Sequence, residues 1–241
     1  MGVQVPPGTP VNKLFHVKHV TRQPTLNPGF LIDLDGLLIN SEELSKLAFE
    51  RMCSQLGCVF SDDYHASIQG KKKSQWAQEF VDGFSLGSTA DEVAVLHTRL
   101  LLKEMDRSVR LMPGAEELLE WIRDNEYPRV LVTSSDLGYA RTYLGKLGIQ
   151  TFFEQMVTAE DVKFGKPNPD PYLLGASRIQ KDPGSCYVFE DSVNGVLSGK
   201  AAGATVIAVP STGSDTKGME AADYIVSTLI DALEVLKSMG L

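Results

Sequence analysis

Three short apolar runs lead into residues that can handle phosphate or a metal. Phe30-Leu31-Ile32 runs into Asp33-Leu34-Asp35-Gly36, Val130-Leu131-Val132 into Thr133-Ser134, and Cys186-Tyr187-Val188-Phe189 into Glu190-Asp191. A fourth segment, Gly165-Lys166-Pro167, carries a lysine in a turn. An Asp after a strand often only caps the next turn, and a lone Asp-x-Asp is common by chance. The weight lies in the set. Four carboxylates gathered at one edge would repel one another and shift one another's pKa unless cations intervene, so the arrangement predicts a bound metal. Hard oxygen donors favour Mg²⁺, which takes one or two carboxylates and keeps waters and substrate phosphate as its other ligands. The chemistry served by such a site is phosphoryl transfer.

The residues can meet only if the chain delivers them to one place. The runs above, with Thr205-Val206-Ile207-Ala208-Val209, are separated by stretches of helical periodicity, the pattern of βα repeats. Helix starts are marked by Pro113-Gly114, Ser135-Asp136 and Asp170-Pro171. The expected fold class is α/β, a doubly wound parallel sheet, whose ligand crevice lies outside the carboxyl ends of the strands. Between the first strand and about Arg107, the stretches Glu42 to Leu56, Lys72 to Phe80 and Asp91 to Met105 read as helices with no strand among them. The expected organisation is a flexible extension over 1–28, dense in proline, a catalytic core over 29–41 and 108–241, and a helical insertion over 42–107. Trp76 and Phe80, four apart, read as the buried face of that insertion.

Asp33-Leu34-Asp35-Gly36, Thr133, Lys166 and Glu190-Asp191, in that order and spacing, resemble the four motifs of the haloacid dehalogenase superfamily. Phe189-Glu190-Asp191-Ser192-Val193-Asn194-Gly195 is similar to its sugar-phosphatase and β-phosphoglucomutase branch, with a subfamily I helical cap. The resemblance implies that Asp33 is the nucleophile and Asp35 the acid and base. It places Asp33, Asp35 (by its backbone carbonyl), Glu190 and Asp191 at the metal. It also implies that Lys166 offsets charge on the nucleophile and phosphate, and that Gly36, Thr133 and Ser134 contact phosphate. In the insertion, Gly70-Lys71-Lys72-Lys73 sets three cations at an apparent helix start, where they oppose the helix dipole. Lys71 and Lys72 are as readily a solvated loop, whereas Lys73 falls where related mutases place a basic residue on the substrate. The function expected from this resemblance is Mg²⁺-dependent hydrolysis of small phosphorylated metabolites, sugar or polyol phosphates, through an aspartyl-phosphate. A phosphosugar mutase is the rival, although Ser45 stands where those mutases carry a cap-hinge histidine, and Asn40 departs from the acidic residue common at its position. A non-catalytic phosphate-binding module is the alternative from another class.

Composition bounds the partners. The 241 residues carry 23 Lys and Arg against 31 Asp and Glu, a formal net charge of −8, which argues against a nucleic-acid or anionic-lipid surface. The odd set Cys53, Cys58 and Cys186 has no metal-ligand spacing and suggests reduced thiols. His16 and His19 lack a third ligand nearby and receive no role. No apolar run is long enough to span a bilayer, and no secretory signal is legible, so a cytoplasmic protein is expected, a monomer or weak homodimer.

Overall fold

The structure, a computed structural model, describes residues 16–17, 27–61, 64–65, 73–211 and 217–241. Its centre is a seven-stranded sheet in the order β1-β7-β6-β5-β2-β3-β4. The strands are β1 (His16–Val17), β2 (Gly29–Ile32), β3 (Arg129–Val132), β4 (Met156–Val157), β5 (Cys186–Glu190), β6 (Thr205–Ala208) and β7 (Tyr224–Ile225). All pairs are parallel except β1 with β7. A parallel sheet covered on both faces must be apolar on both, and β2, β5 and β6 are buried at every residue. One face packs Phe30, Ile32, Leu131 and Phe189, and the other Leu31, Val130, Val188 and Val206. Phe30 stacks on Tyr187 and Phe189 at 5.8 and 6.1 Å between ring centres. The order places β2 at the middle of the sheet between β5 and β3, so the residues after these three strands emerge side by side.

The helices are α1 (Ser41–Leu56), α2 (Lys73–Phe84), α3 (Ala90–Ser108), α4 (Ala115–Asp124), α5 (Leu137–Lys146), α6 (Asp170–Arg178), α7 (Val193–Ala201) and α8 (Leu229–Ser238). Helices α1 to α3 share a hydrophobic cluster of their own, built on Phe49, Met52, Trp76, Phe80 and Leu100 and separate from the two that flank the sheet. Trp76 and Phe80 are buried in it, as their spacing suggested. The chain enters the helical layer at Asn40 and leaves it at Arg110, and these residues clasp each other. The Asn40 N–H donates to the Arg110 carbonyl at 3.2 Å, and the Arg110 N–H donates to Asn40 Oδ1 at 2.9 Å. Asn40 Nδ2 also donates to Glu43 Oε2, which the Arg110 guanidinium pairs with at 2.6 Å. An amide at position 40 can donate to Glu43, whereas a carboxylate there would repel it.

Three short strands differ from the sequence expectation. His16–Val17, inside the proline-dense segment read as a loose extension, pairs antiparallel with Tyr224–Ile225. The pairs Met156–Val157 and Tyr224–Ile225 are too short for a period to register in sequence. His19, Lys71 and Lys72 lie outside the described residues.

Candidate functional site

Asp33 follows the last residue of β2, and its N–H donates to the Phe189 carbonyl of β5 at 3.2 Å, which carries the pairing one residue past the strand. Beyond it the chain reverses in a tight turn. The Leu38 and Ile39 N–H groups donate to the Leu34 carbonyl, and the Gly36 N–H donates to the Ile39 carbonyl and to Ser41 Oγ, both at 3.0 Å. Gly36 has φ +77°, and a Cβ there would lie 1.9 Å from Asp191 Oδ2. The position tolerates no side chain, because the turn and the second acidic segment meet across it. The Gly36 N–H is engaged within the turn itself.

Lys166 closes the ring. Its Nζ donates to Asp33 Oδ1 at 2.5 Å, to Glu190 Oε1 at 2.6 Å and to the Val132 carbonyl at 3.0 Å, and only 6 % of its side chain is exposed. Burial works against its charge, but the Asp33 and Glu190 carboxylates outweigh burial and push its pKa above the ordinary lysine value. Glu190, at the end of β5, is fully engaged. Tyr172 of α6 donates to its Oε1 at 2.6 Å, and Oε2 accepts from the Asp191 N–H, the Ser192 N–H and Ser192 Oγ at 3.0 to 3.2 Å. Its carboxylate therefore faces the start of α7, where unpaired N–H groups and the helix dipole favour a negative charge. Ser192 caps the same helix by accepting from the Gly195 N–H.

Gly195 is what makes room. A Cβ at that position would lie 1.8 Å from the Glu190 carboxyl. Gly195→Ala is therefore expected to displace Glu190 and with it Lys166, lowering stability by about 1–3 kcal/mol, the usual range for overpacking. Thermal denaturation reads this directly, and an unchanged melting midpoint would show that the Glu190 carboxyl can move freely.

Asp33, Glu190 and Asp191 each offer an oxygen, and the three lie within 4.8 Å of one another. Burial raises the Asp33 carboxyl well above the ordinary carboxylate range despite the pull of Lys166. Burial, then Glu190 and Asp33, raise Asp191 likewise. One ammonium thus faces more negative charge than it balances. The all-oxygen donor set with its charge deficit fits a hard divalent cation. Of the three, Glu190 is the most engaged, meeting Lys166, Tyr172 and the 190–192 loop.

On the other side of the turn, three hydroxyls hold Asp35. Ser135 Oγ donates to its Oδ2 at 2.7 Å, Thr133 Oγ1 to the same oxygen at 3.3 Å, and Tyr139 to Oδ1 at 2.9 Å. Thr133 Oγ1 also accepts from the Ser135 N–H. Asp136 caps α5 by accepting from the Tyr139 N–H at 2.7 Å, so the cap that starts the helix also sets where Tyr139 stands. Burial, then the Asp35 carboxylate, push the Tyr139 hydroxyl far above the ordinary phenol range. Asp35, Ser134, Ser135 and Tyr139 open on a cavity of about 880 Å³, closed from the helical layer by Ser45, Trp76, Thr98 and Leu101.

The structure thus gathers Asp33, Asp35, Gly36, Thr133, Lys166, Glu190 and Asp191, and of these Asp35 lines the cavity together with the exposed Ser134. Lys73 begins α2, but its side chain lies outside the described residues. The sequence reading missed Ser135, Tyr139 and Tyr172. Ser135 stands beside two residues that were singled out, whereas the two tyrosines lie inside helices where their spacing marks only a buried face.

The comparisons with known proteins point the same way. The family model described as haloacid dehalogenase-like hydrolase matches residues 30–209. Hexitol phosphatase A of Escherichia coli is 36% identical over 203 residues, covering 83% of this chain and 91% of that protein. The bifunctional riboflavin kinase/FMN phosphatase of Arabidopsis thaliana is 33% identical over 207 residues, covering 86% of this chain, which spans 54% of that longer protein. A crystal structure of a candidate β-phosphoglucomutase from Thermotoga maritima superposes with a TM-score of 0.76 at 27% identity, covering 88% of this chain and 99% of that one. Among the described residues no helix is long and apolar enough to cross a membrane.

Proposed function

Because the chain belongs to the haloacid dehalogenase-like hydrolase family, we propose that it is a phosphatase that cleaves small phosphorylated metabolites, sugar or polyol phosphates, through an aspartyl-phosphate on Asp33. The observation that carries this reading is the convergence on one buried lysine of a carboxylate from the end of β2 and another from the end of β5, with Asp35, two residues beyond Asp33, on the lining of a cavity. Lys166 engages Oδ1 of Asp33, and the Asp33 carboxylate attacks phosphorus in line. The ester P–O bond breaks, and Asp35, protonated at that stage, gives its proton to the departing alkoxide. Asp35 then takes a proton from water as that water attacks the phosphorus of the aspartyl-phosphate, and the Asp33–phosphorus bond breaks to release phosphate. Lys166 balances the charge on Asp33 throughout, and Thr133 with the amide of Ser134, a residue on the cavity lining, holds the phosphate oxygens. Mg²⁺ would be held by Asp33, Asp191 and the Asp35 backbone carbonyl, with Glu190 close by, and would supply charge neutralisation when bound. Lys73 at the start of α2 is the proposed substrate contact from the helical layer, and the core and that layer act as catalytic and cap units.

Ser45 lines the cavity. It offers no imidazole to shield the aspartyl-phosphate, which favours water over a second sugar as acceptor. The reading is tested by phosphate release from a panel of sugar and polyol phosphates with Mg²⁺ and with EDTA. Mg²⁺-dependent release supports it. Isomerisation of a hexose phosphate primed by a bisphosphate, without net release, would establish a mutase, and no turnover of any ester would leave a binding module.

A metal effect on stability follows from the carboxylates. Asp33 and Asp191 have folded pKa values raised by burial, so without metal their contribution is present below the unfolded carboxylate pKa and is lost as pH rises through the raised values. A cation favours the ionised forms and cancels that loss. Saturating Mg²⁺ is therefore expected to raise the melting midpoint more at pH 8 than at pH 5. At about a hundred times Kd the gain is about 2.7 kcal/mol, or roughly 5–10 °C for a chain of this size. Equal shifts at both pH values would contradict the assignment of the two carboxylates to the metal.

A further inference from the structure

Tyr139 takes no part in the chemistry described above, yet its hydroxyl touches the group that must move the proton. It reaches from the first turn of α5 and donates to Asp35 Oδ1 at 2.9 Å. The opposite oxygen, Oδ2, is held by Ser135 Oγ at 2.7 Å and Thr133 Oγ1 at 3.3 Å. The carboxyl is thus gripped at both oxygens, from α5 on one side and from the end of β3 on the other. The Tyr139 ring cannot turn away easily. It packs edge-on against Tyr143 with 4.8 Å between ring centres, and its hydroxyl lies 3.8 Å from the sulfur of Met105 in the last turn of α3. Met105 is fully buried and sits just before the chain leaves the helical layer at Arg110. Asp35, Ser135 and Tyr139 all line the cavity where the ester would lie.

We propose that Tyr139 is a positioning residue for proton delivery to the leaving group, its hydroxyl fixing the rotation of the Asp35 carboxyl so that a proton on it points into the cavity. The inference rests on Asp35 being the acid of a phosphatase. A carboxyl on a short side chain has two-fold rotational freedom about its last bond, and a proton donor must lie within hydrogen-bond reach of the departing oxygen. A donor on Oδ1 from one side and donors on Oδ2 from the other leave one plane for the group. Losing that plane weakens only the step that needs a proton.

Leaving-group chemistry separates this from a packing role. An alkyl phosphate expels a poor leaving group and depends on the acid, whereas p-nitrophenolate departs with little help. kcat/KM reports the steps through first phosphoryl transfer and release of the alcohol, so it isolates the acid function from the later water step. Tyr139→Phe keeps the ring and removes the hydroxyl. It is expected to lower kcat/KM about tenfold for a hexitol phosphate, part of the roughly 10²–10⁴ that a general acid supplies, while p-nitrophenyl phosphate stays within about twofold. Tyr139→Leu, which removes the ring too, is expected to lower both. The two substrates falling together in Tyr139→Phe, or neither falling, would overturn the proposal while leaving the phosphatase reading intact. A wild type that turns over neither substrate would instead remove that reading, and this inference with it.

Discussion

Asp33→Asn is expected to reduce Mg²⁺-dependent phosphate release at least about a thousandfold, because an amide cannot form the phospho-enzyme and the remaining groups only bind and polarise the ester. The same change should not harm the fold. Asp33 is buried, and burial raises its carboxyl well above the usual range, so the native site holds a charge that the metal-free protein would rather protonate. A neutral amide of the same shape avoids that cost, and Lys166 keeps Glu190 as its partner. Turnover should therefore vanish while the melting midpoint of the metal-free protein stays level or rises. Release assays and thermal denaturation on one preparation check both halves. An Asn variant with more than a tenth of wild-type turnover would move the nucleophile elsewhere.

Lys166→Met is expected to be costly in both respects. The ammonium is the buried cation that Asp33 and Glu190 share, at 2.5 and 2.6 Å, and removing it leaves two carboxylates without a counter-charge. Breaking one partner out of a buried ion pair typically costs about 3–5 kcal/mol, which for a chain of this length is roughly 6–20 °C in melting midpoint. The loss should depend on pH with a definite sign. Without the lysine the buried Asp33 carboxyl favours its protonated form still more, so the stability deficit is largest near neutral pH and shrinks as pH falls toward the ordinary carboxylate range. Combining Lys166→Met with Asp33→Asn should restore part of the stability but none of the turnover, since one of the stranded charges has gone. A Met variant as stable as wild type at neutral pH would mean that the ring of contacts around Lys166 contributes little.

The parallel sheet was legible because its central strands are apolar on both faces and end abruptly in charge. Ile32 gives way to Asp33, and Phe189 to Glu190 and Asp191, and those boundaries mark at once the strand end and the site. The helices after Asp136 and Asp170 were legible from their starting residues. Less visible were elements whose position depends on partners far away in sequence. His16–Val17 becomes a strand only because Tyr224–Ile225 offers it an edge. Tyr139 and Tyr172 read as buried helix positions, and nothing local tells that one hydroxyl finds Asp35 and the other Glu190. The two acidic residues at the end of β5 look equivalent in sequence. In the structure they separate, because Gly195 lets the Glu190 carboxyl sit against the start of α7 and leaves Asp191 beside Gly36.

Trapping the covalent intermediate tests the central claim most directly. Enzyme quenched during turnover of a hexitol phosphate with Mg²⁺, reduced with borohydride and digested, should yield the peptide spanning Asp33 with that residue converted to homoserine, the product of an acyl phosphate. The conversion should require both substrate and metal, and Asp33→Asn should abolish it. An unmodified Asp33 peptide during active phosphate release, or a reduced carboxyl elsewhere in the chain, would contradict it.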